Sequence, residues 1–233
     1  MKRMKYGILI TGLLITSTVL YACNNKSDTG NIRADEALKS MNELVKTYPE
    51  KKGFHKVLQH WNFKMPSGEL FEWTKDTSAN KADYAIVLMS DELVDAGLNL
   101  DKMDKNEWLV KPAEVEDGNQ LPNRLIKPFN VSDKVETSDG SEDALRRVLK
   151  QKPDMIKYDE GISMHVLSFG NGVEVLWAKD LANAPYEMAF KFDSEPFINA
   201  GLEPTKLKDK GWSIEGYDTV NKKGEILKKF SLK

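Results

Sequence analysis

Ser90-Asp91-Glu92-Leu93-Val94-Asp95-Ala96-Gly97-Leu98 and Ser194-Glu195-Pro196-Phe197-Ile198-Asn199-Ala200-Gly201-Leu202 are two versions of one pattern. In each, a serine suits the N-cap of a helix, acidic residues or proline suit its first turn, and glycine suits the left-handed position that ends it, with leucine folding back. The pattern predicts a two-turn helix with both ends specified. The stretches lie 104 residues apart, and at that spacing Met65 to Trp108 matches Phe169 to Trp212 without a gap, with 11 identities in 44 positions. Two tryptophan pairs, Trp73/Trp177 and Trp108/Trp212, are among them. Self-similarity at a fixed offset is the signature of a duplicated unit.

Working outward, Glu36-Ala37-Leu38-Lys39 matches Asp143-Ala144-Leu145-Arg146, and LIKPFN (125 to 130) matches ILKKFS (226 to 231). The repeats therefore run from 34 to 131 and from 141 to 233, joined by a polar linker at 132 to 140. Each opens with an amphipathic helix. Ala37, Leu38, Met41, Leu44, Val45 and Tyr48 share one stripe, stopped by Pro49, and Ser141 is placed to cap the helix of the second repeat. Alternating apolar residues around Pro66-Ser67-Gly68 and around Gly170-Asn171-Gly172 predict a hairpin in each. A third strand follows at Tyr84 to Met89 and again from Met188, then the short helix, then two closing strands. The expected order is α-β-β-β-α-β-β, twice. Short connections favour antiparallel pairing, and an amphipathic helix must bury its stripe on a sheet. The expected fold class is α+β, two tandem homologous repeats, each an antiparallel sheet packed against a helix.

The chain has 233 residues, 34 Lys plus Arg against 36 Asp plus Glu, and a formal charge of −2. That balance lacks the basic excess with which proteins neutralise a phosphate backbone, so no nucleic-acid partner is expected. Residues 1 to 22 put Lys2, Arg3 and Lys5 before an apolar run from Tyr6 to Leu20, the order of an export signal. Leu20-Tyr21-Ala22-Cys23 resembles the lipobox of bacterial prolipoproteins, with Tyr21 where a smaller residue is usual. The resemblance covers the leader only. It implies removal of residues 1 to 22 and lipid attachment at Cys23, the one cysteine of the chain. Two or more acyl chains would then anchor the protein stably to the cell membrane or outer membrane, on the extracytoplasmic side. Loss of the leader leaves 31 basic and 36 acidic residues, a formal charge of −5. Residues 23 to 33 are polar and non-periodic and are expected to form a tether. With no second cysteine, the exported body has no disulfide to rely on.

Signatures of catalysis are sparse. The sequence contains no G-x-S-x-G, no H-E-x-x-H and no P-loop. Three histidines, His55, His60 and His165, do not form a metal-ligand set by spacing, and neither a metal nor any other cofactor is expected. His60 and His165 fall at near-equivalent places before the first hairpin strand, so a two-fold arrangement of the repeats would bring them toward one axis. Trp73-Thr74-Lys75-Asp76 and Trp177-Ala178-Lys179-Asp180 retain Trp-x-Lys-Asp in both copies. One reading is a binding edge, with an aromatic face beside a cation and an anion. The other is a strand end, with Trp in the core, Lys in solvent and Asp holding the next turn. Candidate ligand-binding residues are accordingly Trp73, Lys75, Asp76, Trp177, Lys179, Asp180, His60 and His165. The expected function is a non-catalytic, lipid-anchored protein that binds a small ligand or an envelope partner between its two halves. An envelope hydrolase working with carboxylates and histidine (Asp76, Asp180, Glu69, His165), or an assembly subunit, is the alternative.

Overall fold

The computed structural model describes residues 26–78, 81–103, 107–116, 119–121, 123–131, 137–170, 172–207, 211–221 and 223–232. The leader, Cys23 and most of the linker lie outside them. The fold is α+β, with two six-stranded antiparallel sheets and few helices.

The first half contributes α1 (Lys26–Thr47), β1 (Lys52–His55), β2 (His60–Lys64), β3 (Leu70–Thr74), β4 (Tyr84–Met89), α2 (Asp91–Asp95), β5 (Leu109–Lys111), a small hairpin of β6 (Glu114–Glu116) and β7 (Asn119–Leu121), and β8 (Arg124–Phe129). The second contributes α3 (Ser141–Gln151), β9 (Ile156–Asp159), β10 (Met164–Ser168), β11 (Glu174–Ala178), β12 (Met188–Asp193), α4 (Glu195–Asn199), β13 (Trp212–Asp218) and β14 (Lys223–Phe230). Across the sheets the orders are β1-β2-β3-β4-β8-β5 and β9-β10-β11-β12-β14-β13. Each half therefore has four strands before its short helix, where sequence periodicity predicts three. The extra strands, β1 and β9, are four residues long, follow a proline-led turn, and are mostly exposed or half-buried, so they carry no alternating apolar signal. Among the described residues, the β6–β7 hairpin is an insertion present in the first half only.

Helix α1 starts at Lys26, inside the stretch expected to be a tether. Its buried stripe is Ala34, Ala37, Leu38, Met41 and Leu44. Helix α3 buries Ala144, Leu145, Val148 and Leu149. Gly140, rather than Ser141, takes the cap position of α3, and Ser141 becomes its first residue. The helices cross over: α1 packs on β9 and β11 of the second half, α3 on β3 of the first, and the two helices pack on each other. One apolar core results, shared by Phe63, Phe71, Trp73 and Tyr84 from the first sheet and Val175, Trp177, Phe190 and Phe192 from the second. At about 1.5–3 kcal/mol for each large apolar side chain removed from water, this shared core is the main force joining the halves. The outer face of the second sheet carries a smaller cluster, Met164, Val166, Leu176, Ala178, Ala189 and Leu227.

The most similar segments of sequence meet each other. Gly97 and Gly201 both have positive φ, 98° and 101°. The amide of Leu98 donates to the Leu93 carbonyl and that of Leu202 to the Phe197 carbonyl, so both helices end as their glycines predict. Between the halves, the Asn99 amide donates to the Ala200 carbonyl and the Glu203 amide to the Ala96 carbonyl, each at 2.8 Å. A methyl at Gly97 would sit 2.9 Å from the Gly201 oxygen, and one at Gly201 would sit 3.0 Å from the Gly97 oxygen. Only glycine permits that approach.

Candidate functional site

Trp73 and Trp177 end their strands with side chains turned into the core, each about 1% exposed. The indole of Trp73 donates to the Ser141 carbonyl at 3.0 Å. That of Trp177 donates to the Ala37 carbonyl at 3.1 Å and to Ser40 Oγ at 2.8 Å. Each tryptophan thus pins the opening helix of the other half, with its one polar atom satisfied. Neither ring face is open to a ligand in this arrangement.

The charged members of the motif lie at the surface. Lys75 Nζ is 3.1 Å from Asp139. Asp76 accepts from the amide and hydroxyl of Ser78. Asp180 accepts from the Ala182 amide at 3.0 Å and the Asn183 side-chain amide at 2.7 Å, and these hydrogen bonds hold its carboxyl below the usual carboxylate range. Both aspartates organise the turn after their strand. Lys179 Nζ stands 4.7 Å from the centroid of the Tyr158 ring, within cation–π range.

Lys179 and Asp180 also form one wall of an open groove of about 530 Å³, completed by Leu181 and Ala182 and by Glu43, Lys46 and Thr47 from the end of α1. Both halves therefore build it, and its lining carries cations and anions together. Lys75 and Asp76 are not part of it. Two further grooves form where a hairpin tip of one half reaches the last strand of the other. One, of about 400 Å³, brings Pro66 and Ser67 to Tyr186, Lys228 and Phe230. The other, of about 220 Å³, brings Phe169 and Gly170 to Lys127, Phe129 and Val131.

His60 and His165 do not come together. Trp61 stands opposite Trp73 and His165 opposite Trp177, so the register pairs His165 with Trp61, and His60 with Met164. The equivalence expected from sequence is off by one residue, and a one-residue shift reverses the face. His60 is on the outer face of the first sheet, its Nδ1 3.2 Å from Glu72, while its buried Nε2 meets no hydrogen-bond partner among the described residues. His165 is on the inner face of the second, between Tyr158 and Trp177. Burial first, then the nearby Lys179, lower its pKa to about 4, against a smaller opposing effect of Glu36. It is neutral at physiological pH.

Lys228 is the centre of a buried charge cluster of which the sequence singles out only Glu69. Lys228, about 1% exposed, places Nζ 2.7 Å from Glu92, 3.6 Å from the equally buried Glu69, and 4.8 Å from the centroid of the Trp212 ring. Glu92 also accepts from the Trp212 indole at 2.6 Å. In the first half Lys127 lies 5.8 Å from the Trp108 ring and 2.8 Å from Glu107. The signal was present: in Ile226-Leu227-Lys228-Lys229-Phe230 the lysine at 228 shares the inward face with Ile226 and Phe230, a position that needs an ionic partner. Among the described residues no group of three or more His, Cys, Asp or Glu is arranged to hold a metal. No helix among them is long and apolar enough to cross a membrane. Comparison with protein families, with curated proteins and with solved structures finds no match to this chain.

Proposed function

We propose that this protein is a lipid-anchored extracytoplasmic lipoprotein whose body is a tandem duplication and binds a small ligand or envelope partner where its two halves meet. The leader and Leu20-Tyr21-Ala22-Cys23 support the anchor. Duplication is supported by the ungapped sequence match together with corresponding strand orders in the two sheets. The observation that carries the binding reading is the groove of Glu43, Lys46, Thr47, Lys179 and Asp180, a surface that neither half builds alone. Its open shape and mixed charges suit reversible recognition of a polar or zwitterionic group rather than enclosure of a reacting centre. The space between the sheets is filled by core, so binding belongs to the junction surfaces and not to a deep cleft.

Labelling with a palmitate analogue tests the anchor: incorporation is expected in the intact chain and abolished by Cys23→Ala, and persistence in that variant would refute it. Binding is tested by thermal-shift screening of the chain from Asn24 onward, which keeps all of α1, against sugars, amino acids and short peptides. A ligand of the groove must raise Tm, and Lys46→Ala with Lys179→Ala must remove that shift. Failure of every such ligand to stabilise the protein, or a shift unaffected by the two substitutions, would refute the groove.

A further inference from the structure

The chain enters the body through the first turns of α1. That helix begins at Lys26, three residues after Cys23. Three extended residues span at most about 11 Å, and the helical rise from Lys26 to Gly30 adds about 6 Å, so Cys23 is held within about 17 Å of Gly30. The same stretch from Cys23 to Gly30, were it fully extended, would reach about 25 Å. Gly30 is already packed into the body: a methyl built there would lie 3.0 Å from Pro153 Cβ. The turn Pro153–Met155 therefore sits against α1 at this level, and Lys150 reaches Asp35 at 3.1 Å beside it. In sequence, the start of α1 and the turn packed on it carry Lys26, Arg33, Lys150 and Lys152, along with Asp28, Asp35, Glu36 and Asp154. The groove lies at the other end of the helix, with Thr47 about 26 Å from Gly30 along its axis.

We propose that the end formed by the start of α1 and the segment from Lys150 to Met155 rests on the phospholipid headgroups of the membrane that holds the anchor, and that the groove points away from the bilayer. The proposal depends on acylation of Cys23, as proposed above. A short helical link gives the anchor a defined point of entry, so the nearest protein surface is the one packed around Gly30. Charge favours the same orientation. The chain without its leader has a formal charge of −5, yet this end has four cations against four carboxylates, so anionic headgroups repel it less than the acidic remainder. The partner of the groove is then a component of the surrounding compartment rather than a lipid of the anchoring membrane.

The chain from Cys23 to Lys233 keeps every described element. Coupling it through Cys23, its sole thiol, to a maleimide-bearing phospholipid in vesicles of phosphatidylethanolamine and phosphatidylglycerol reproduces the anchor without relying on acylation in cells. Acetylation of individual lysine amines, read by mass spectrometry, is compared between vesicle-bound and free protein. Lys150 and Lys152 should react several-fold more slowly on the vesicle, with Lys46 and Lys179 unchanged. Equal slowing at all four, slowing confined to Lys46 and Lys179, or no slowing would overturn the orientation. Palmitate labelling of the intact chain in cells is read separately. Its absence overturns the anchor and this proposal together, whereas labelling with the wrong footprint overturns the orientation alone.

Discussion

Gly97 and Gly201 face one another across the junction with each carbonyl where the other's side chain would have been. A methyl at either position must adopt positive φ and push against a backbone oxygen, two penalties that act together. Gly201→Ala should therefore destabilise the protein by about 1–3 kcal/mol, seen as a lower denaturant midpoint with an unchanged m-value. His165 supplies a second prediction at this scale. Its folded pKa, about 4, is below the ordinary 6.5, so between these values the unfolded chain binds the proton that the folded one refuses. Stability is thus full above pH 6.5 and falls as the pH is lowered toward 4, by up to about 3 kcal/mol from this group. His165→Phe should flatten that part of the stability–pH curve measured by urea unfolding, and an unchanged slope would show that the imidazole is not the group responsible.

Helices α1 and α3 hold on to the opposite sheet by a tryptophan each, through one hydrogen bond or two from the indole nitrogen. Trp177→Phe keeps most of the apolar volume but leaves the Ala37 carbonyl and Ser40 without their donor. It should cost about 1–3 kcal/mol, the range for an unmet buried polar group plus lost packing, and hydrogen exchange should accelerate in α1 before β2 and β3. Faster exchange confined to the second sheet would contradict the crossed packing. Alternation and helical stripes in the sequence locate β2 to β4, β10 to β12 and the opening helices because those elements bury one face. They do not locate β1 and β9, which bury little, nor do they say which sheet a helix covers, since an apolar stripe fits either.

At the scale of the molecule, one core runs through both halves. Heat should therefore unfold the protein in a single transition, with calorimetric and van't Hoff enthalpies in agreement, despite the self-similarity of its sequence. Two resolved transitions would mean that the halves are stable separately. The same packing explains where the candidate site was and was not legible. Lys179 and Asp180 stand out in sequence because Trp-x-Lys-Asp recurs, yet only the folded chain brings Glu43, Lys46 and Thr47 to them across more than a hundred residues. Lys228, Glu69 and Glu92 are likewise scattered, and their proximity comes from a hairpin tip and the short helix α2 of the first half both reaching the last strand of the second.

The amino-acid sequence alone determined the α+β class, most of the strands and the glycine-ended helices, because each rests on local periodicity or turn stereochemistry. Tertiary structure decided the exchange of helices between the sheets, the face on which each histidine sits, the buried lysine cluster and the groove. Those depend on contacts between residues far apart in the chain, and such contacts are chosen by the packing of whole surfaces rather than by any neighbouring residue.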